Sequence, residues 1–227
     1  MGMFPLSEHR NNTDMEIKRF EFNFFGENTY VIWDATSHEA AIVDPGMVNP
    51  EETNLIEDFI ATHRLSVRYI LLTHAHVDHT FGIDILKEKY HAPVLAHKAD
   101  LPLGQMRGQQ AEMFHLPMKL GPVEIDRFIS AGTHLQLGNE RIEVIETPGH
   151  SPGGVCYYVP ESSFILTGDT LFQGSIGRTD LPGGNHNTLL SSISTGLFNL
   201  PDNTVVYPGH GPATTIGKEK RTNPFFN

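Results

Sequence analysis

Four side chains able to hold a cation, His74, His76, Asp78 and His79, fall within six positions directly after the apolar run Tyr69-Ile-Leu-Leu72. In extended backbone, side chains two apart project to the same side, so His74 and His76 can converge on one ion. Asp78 and His79, entering the next element, can reach a second. Any one of these histidines alone reads as a polar loop residue; it is their density at a strand end that points to metal. Three later segments repeat the form, each an apolar run entering a glycine turn: Thr147-Pro-Gly-His150, Leu166-Thr-Gly-Asp169 and Tyr207-Pro-Gly-His210. Proline and glycine fix the direction of such turns, and strand ends pointing one way would gather them at one sheet edge. Imidazoles and carboxylates without thiolate suit Zn²⁺, and equally Fe²⁺ or Mn²⁺. Two divalent ions roughly 3.5 to 4 Å apart share a water and lower its pKa from about 15.7 towards 7, which supplies hydroxide at neutral pH.

These residues need strands to carry them. Stretches 18–25, 29–33 and 40–43 are short, rich in β-branched and aromatic residues, and separated by Gly26-Glu27-Asn28 and followed by Pro45-Gly46, the pattern of an opening β-meander. From 50 to 63, Leu55, Ile56, Phe59 and Ile60 recur at helical spacing after the acidic first turn Glu51-Glu52. A strand over 69–72, a helix over 79–90 and a strand over 93–96 continue as a β-α-β alternation. Residues 99–123 lack a period and read as an insertion. Its Met106, Met113, Phe114 and Met118 suit a pocket or lid, although core packing is the more common use. Strands over 141–146, 155–159 and 164–166, a helix over 188–200 and a strand over 204–207 complete the pattern. No repeat or composition break divides the chain, which we expect to be a single domain over 1–227.

Composition narrows the class. With 39% hydrophobic and 19% charged residues the chain is ordinary for a globular protein, and no segment is apolar and long enough for a membrane span. Residues 1–15 have no apolar core that could serve in export, and they read as an extension or as sequence ahead of a start at Met15. One cysteine, Cys156, excludes an internal disulfide and fits a cytoplasmic location. A net charge of −11 argues against nucleic acid as a partner. The oligomeric state leaves no mark in the sequence.

The set Thr73-His-x-His-x-Asp-His79, followed by His150, Asp169 and His210, resembles the full metal set of the metallo-β-lactamase superfamily over nearly the whole chain. The resemblance implies an α/β fold built as a four-layer αββα sandwich with metals at one edge. It assigns His74, His76 and His150 to one ion, Asp78, His79 and His210 to the other, with Asp169 bridging and Asp78 also orienting the water. Within the superfamily, 168–184 and 209–226 resemble the compact bacterial branch related to glyoxalase II, the hydroxyacylglutathione hydrolases. β-Lactamases with a cysteine ligand carry it where Asp169 stands, whereas Cys156 falls in an expected strand as a small core residue. Two features depart from glyoxalase II. The aromatic pair of its Gly-x-Gly-Arg/Lys loop is replaced by Thr179-Asp180, and its helical glutathione-holding region does not follow His210 in this sequence.

The resulting expectation is a binuclear hydrolase, most often zinc-dependent in such a ligand set, that cleaves a small acyl thioester such as S-lactoylglutathione by attack of the shared hydroxide. A lactone or other ester would suit the same centre. Arg178 reads either as a grip for a substrate carboxylate or as a tie within its own loop. Lys218, Lys220 and Arg221 read as a grip for an anionic tail or as a solvated surface. The rival from another class is a persulfide dioxygenase with one iron on His74, His150 and Asp169, whose relatives share a stretch like Gly177-Arg-Thr-Asp180. Of the other histidines, His186, in the Gly-rich stretch after Arg178, is the candidate for a further site role.

Overall fold

The meander is present as β1 (Met15–Phe22), β2 (Glu27–Asp34) and β3 (Glu39–Val43), paired antiparallel in that order. The computed structural model describes residues 15–226, so the expectation for the residues before Met15 lies outside the described residues. Helix α1 (Pro50–Thr62) starts where the Asn49 side chain accepts the Glu52 amide at 2.8 Å, with Pro50 in the first turn and Ile56 and Ile60 on its buried face. It crosses to β4 (Ser66–Leu71), and α2 (Ile83–Tyr90) crosses in turn to β5 (Val94–His97), so that β3, β4 and β5 are parallel neighbours. Parallel strands need such crossovers. The helix expected from residue 79 begins only at Ile83. Before it, Val77–His79 form a tight 3-10 turn, and the Gly82 amide is bound to the Pro45 carbonyl at 2.8 Å.

The aperiodic segment folds as two short helices, α3 (Leu101–Gln105) and α4 (Arg107–Met113), too short and too interrupted by Pro102, Gly104 and Gly108 to show a period. Strand β6 (Arg127–Ile129) then completes a six-stranded sheet in the order β1-β2-β3-β4-β5-β6. The second half supplies β7 (His134–Leu137), β8 (Glu140–Glu146), β9 (Val155–Val159), β10 (Phe164–Gly168), the hairpin β11 (Leu171–Phe172) and β12 (Ser175–Ile176), α5 (His186–Thr195), β13 (Val205–Pro208), β14 (Thr214–Thr215) and α6 (Ile216–Thr222). Its sheet has the order β14-β13-β10-β9-β8-β7. The helix expected to reach residue 200 stops at Gly196, and Leu197–Asn199 form a 3-10 turn.

Three apolar clusters define the layers. Tyr30, Ile32, Val43 and Leu71 of the first sheet meet Leu137, Ile142, Tyr157 and Leu166 of the second, forming the central core. Ile56, Ile60, Ile83 and Leu86 cover the outer face of the first sheet through α1 and α2, and Leu189, Ile193 and Ile216 cover that of the second through α5 and α6. The architecture is therefore the four-layer αββα sandwich. Among the described residues no helix is long and apolar enough to cross a membrane.

The topology also fixes the site. β8 and β10 both run antiparallel to β9, and β13 runs parallel to β10, so the ends of β8, β10 and β13 emerge at one edge. Those ends lead into His150, Asp169 and His210.

Candidate metal centre

After β4 the backbone stays extended, and every second amide is taken by a side chain from elsewhere. Thr73 N–H donates to Asp44 Oδ1 (2.7 Å), Ala75 N–H to Asp100 Oδ2 (3.0 Å) and Val77 N–H to Gln110 Oε1 (3.0 Å). The intervening residues, His74 and His76, project to the opposite side, into the site. Tyr157 Oη–H donates to the Leu72 carbonyl at 2.6 Å and Val155 N–H to that of Thr73 at 2.9 Å, tying this segment to the second sheet.

Four of the five imidazoles, those of His74, His79, His150 and His210, are oriented by the nitrogen that faces away from the site. His79 Nδ1–H donates to Asp44 Oδ2 (3.1 Å), His150 Nδ1–H to the Arg178 carbonyl (2.7 Å) and His210 Nδ1–H to the Phe25 carbonyl (3.2 Å). Thr73 Oγ1–H donates to Asp44 Oδ2 (2.6 Å), so Thr73 Oγ1 in turn accepts from His74 Nδ1–H (3.0 Å). In the neutral rings these bonds leave Nε2 of His74, His79, His150 and His210 as the nitrogen that carries the lone pair. Supporting partners of this kind commonly fix tautomer and ring direction in metal sites. Asp44 holds its carboxylate from a left-handed backbone, φ +50°, a conformation that Asp tolerates better than most residues.

The lone pairs converge. His150 Nε2 lies 3.2 Å from His74 Nε2 and 2.9 Å from His76 Nδ1. Bare nitrogens at such distances repel unless a cation lies among them, so the donor set fits a metal. His74, His76 and His150 form one group whose ligand atoms lie within 4.8 Å of one another, and Asp78, His79 and His210 form another. A third such group, Asp44 with His74 and His79, engages Asp44 in the positioning bonds above. Asp169 lies between the first two: its Oδ2 is 3.6 Å from His150 Nε2 and 3.7 Å from His210 Nε2, and its Oδ1 is 3.5 Å from His79 Nε2. Both His79 Nε2 and Asp169 Oδ1 are buried without a hydrogen-bond partner.

Electrostatics point the same way. Burial, with repulsion from the neighbouring imidazoles, holds His74 well below the ordinary histidine range, and burial and His150 bring His76 down to about 4. These rings are neutral at pH 7, the form in which an imidazole can hold a metal. At the second group burial opposes charge, yet Asp78, Asp169 and Asp44 outweigh it and raise His79, while His79 and His210 likewise hold Asp78 below the usual carboxylate range. The carboxylates there call for positive charge at the point His79 Nε2 faces.

Close packing leaves no room for larger residues at two glycines. A Cβ on Gly168, whose φ is +47°, would lie 2.1 Å from Thr73 Oγ1, and one on Gly209 would lie 2.4 Å from Asp169 Oδ1. The Gly209 amide binds the Gly168 carbonyl at 2.8 Å, so the β10 and β13 ends deliver Asp169 and His210 as a unit.

The site floors a cavity of about 610 Å³ lined by His76, Asp78, His150, Asp169 and His210 below and by Phe25, Met106, Met113 and Phe114 among its walls. Met106 and Met113, for which core packing was the commoner expectation, thus face the cavity, while Met118 packs with Val77 and Phe81. Arg178 lines the cavity and is bound bidentately by Asp180, with both contacts at 2.7 Å. Lys218, Lys220 and Arg221 do not line it: they stand on α6, where Lys220 (2.8 Å) and Arg221 (3.5 Å) pair with Asp202. Of the two readings of this basic run, this placement is that of a solvated surface. The helix that begins just before them turns the Lys220 and Arg221 side chains towards the 200–202 loop. His186 also stands apart from the cavity, opening α5 beside Phe225. Cys156 is fully buried, with Thr147 Oγ1 at 3.3 Å, and burial pushes its thiol up to about 12.

Asp44, Asp100, Gln110 and the Arg178 carbonyl escaped sequence reasoning. Asp44 alone left a signal: Val43-Asp-Pro-Gly46 has the form of the three ligand-bearing strand ends.

Comparison with known proteins agrees with this geometry. The chain is 37% identical to the hydroxyacylglutathione hydrolase GloC of Haemophilus influenzae over 94% of its length and 99% of that protein's. Among solved structures it is similar to the BLEG-1 B3 metallo-beta-lactamase (34% identity, TM-score 0.85, 93% and 100% of the two chains). It is also similar to TTHA1623, solved in a di-iron-bound form (38% identity, TM-score 0.80, 92% and 99%). The family profile of the metallo-beta-lactamase superfamily matches residues 22–210, and with these ligand groups at the sheet edge the chain belongs to that superfamily.

Proposed function

We propose that the protein is a binuclear metal-dependent hydrolase of small acyl thioesters, with S-lactoylglutathione as the reference substrate. His74, His76 and His150 would hold one ion, Asp78, His79 and His210 the other, and Asp169 both. Bound there, the ions would acidify water and polarise the scissile carbonyl.

One observation carries the choice of bond. Among the described residues lining the cavity, both carboxylates, Asp78 and Asp169, and all three imidazoles, His76, His150 and His210, belong to the candidate ligand set. No further acid stands ready to protonate a poor leaving group. A thiolate, whose parent thiol has a pKa of about 8.5, leaves without that help. The chain's own part is then to orient: Asp44, the Arg178 carbonyl and the Phe25 carbonyl hold the rings, and Asp78 Oδ2, 3.3 Å from His210 Nε2, lies at the floor where it can align the attacking water. The GloC relative supports the thioester reading, and the di-iron form of TTHA1623 supports two ions without fixing their identity here.

The test is turnover by metal-loaded protein of S-lactoylglutathione against glutathione persulfide. Thiol release from the first, without oxygen uptake on the second, is expected. Oxygen uptake with persulfide and no thioester cleavage would replace the reading with the single-iron dioxygenase.

A further inference from the structure

The wall above the ligands is built differently from its floor. Phe25 packs on Phe114 with ring centroids 5.5 Å apart, and Leu103, Met106 and Met113 continue the surface along α3 and α4. Phe172, Ile176 and Leu181 are also apolar lining residues. Met106 and Met113 keep 44% and 53% of their surface in water, an arrangement that favours an apolar occupant. Methionine fits chains of varied shape. The wall is nevertheless anchored, since Gln110 accepts from Val77 N–H (3.0 Å) and donates to the Leu103 carbonyl (2.8 Å), joining α4 to the ligand loop.

Charged recognition is weakly provided. Among the described lining residues Arg178 is the one Lys or Arg, and Asp180 already occupies its guanidinium. A substrate carboxylate would exchange one exposed ion pair for another, a small net gain. Glutathione brings two carboxylates and an ammonium, and the chain's net charge of −11 gives it no attraction from a distance.

We infer that the cavity selects uncharged thioesters bearing an apolar acyl chain, the chain lying against the α3–α4 wall. This rests on the thioesterase reading and names its substrate class. In the step itself, water adds to the carbonyl, the C–S bond breaks, the sulfur leaves as thiolate with the bond's electron pair, and the proton passes to solvent.

The experiment measures kcat/KM of metal-loaded protein on acetyl, butanoyl and hexanoyl thioesters of N-acetylcysteamine, and on the lactoyl thioesters of N-acetylcysteamine and glutathione. Burial of methylenes gains up to roughly fourfold each, so a rise of at least about tenfold from acetyl to hexanoyl is expected. The two lactoyl esters should differ by less than about threefold, the size of an exposed ion-pair effect. In Met106→Gln/Met113→Gln the hexanoyl to acetyl ratio should fall several-fold. A flat chain-length series, a tenfold or greater preference for glutathione, or a ratio untouched by the double variant would overturn the inference while leaving thioester hydrolysis standing. Absence of turnover on every thioester would remove the hydrolase reading, and this inference with it.

Discussion

Floor and wall share one cavity but differ in how tightly they are determined. At the floor, His74, His79, His150 and His210 are each fixed at the second nitrogen, and the Gly168 and Gly209 positions admit no Cβ without collision. At the wall, the two exposed methionines present apolar side chains, and Gln110 supplies the polar anchor to the 73–77 segment. Chemistry at a carbonyl demands directions that a small shift would spoil, whereas an apolar chain asks only for surface. The contrast predicts steep losses from small changes below and graded shifts in selectivity from changes above.

The largest effect should come from Asp169, which lies within reach of both groups. Asp169→Ala is expected to lower kcat/KM by more than about a hundredfold, beyond the usual 10- to 100-fold loss for residues that only support ligands. Asp78→Ala should preferentially weaken the second ion, read by metal analysis after dialysis against a weak chelator. Full metal content and activity in Asp78→Ala would remove it from the ligand set.

Asp44→Asn probes support of the floor without altering its outline, because Asn tolerates the left-handed backbone at φ +50°. It removes the charge facing His79 Nδ1–H and Thr73, and a loss of about 10- to 100-fold in metal affinity is expected. Unchanged affinity would mean that packing alone directs His79.

Outside the cavity, effects should be small. Lys218→Ala/Lys220→Ala/Arg221→Ala is expected to keep kcat/KM within about twofold and to cost little stability, since exposed ion pairs such as those on Asp202 are screened by solvent. A tenfold loss would return α6 to the substrate site. Smaller still is Cys156→Ser, which should retain metal and activity. In the native protein the buried thiol, raised to about 12, should resist alkylation at neutral pH and react once the chain is denatured. Rapid labelling of the folded protein would contradict its burial.

The same contrast explains what the sequence disclosed. The candidate ligand residues were legible because strand geometry imposes a spacing, as in His74-x-His76, and because each later candidate closes a short strand-to-glycine turn. Their supports were not: Asp44, Asp100 and Gln110 reach the ligand loop from 29, 25 and 33 residues away, and the Arg178 contribution is a backbone carbonyl, which no residue type betrays. Both sheets could be read from their longer strands, but β6, β7 and β14, with two to four residues, are too short for periodicity. The wall was hidden for a similar reason. Helices of five and seven residues display no apolar stripe, so Met106 and Met113 gave no sign of which way they faced.

The proposed centre has two ion sites joined by Asp169, and metal stoichiometry tests it most directly. Protein stripped of metal, reconstituted separately with Zn²⁺, Fe²⁺ (anaerobically) and Mn²⁺, and freed of unbound ion should bind two equivalents per chain with at least one of these metals. Asp78→Ala treated alike should bind one. Saturation of the wild-type chain at a single equivalent with all three metals would contradict the binuclear centre.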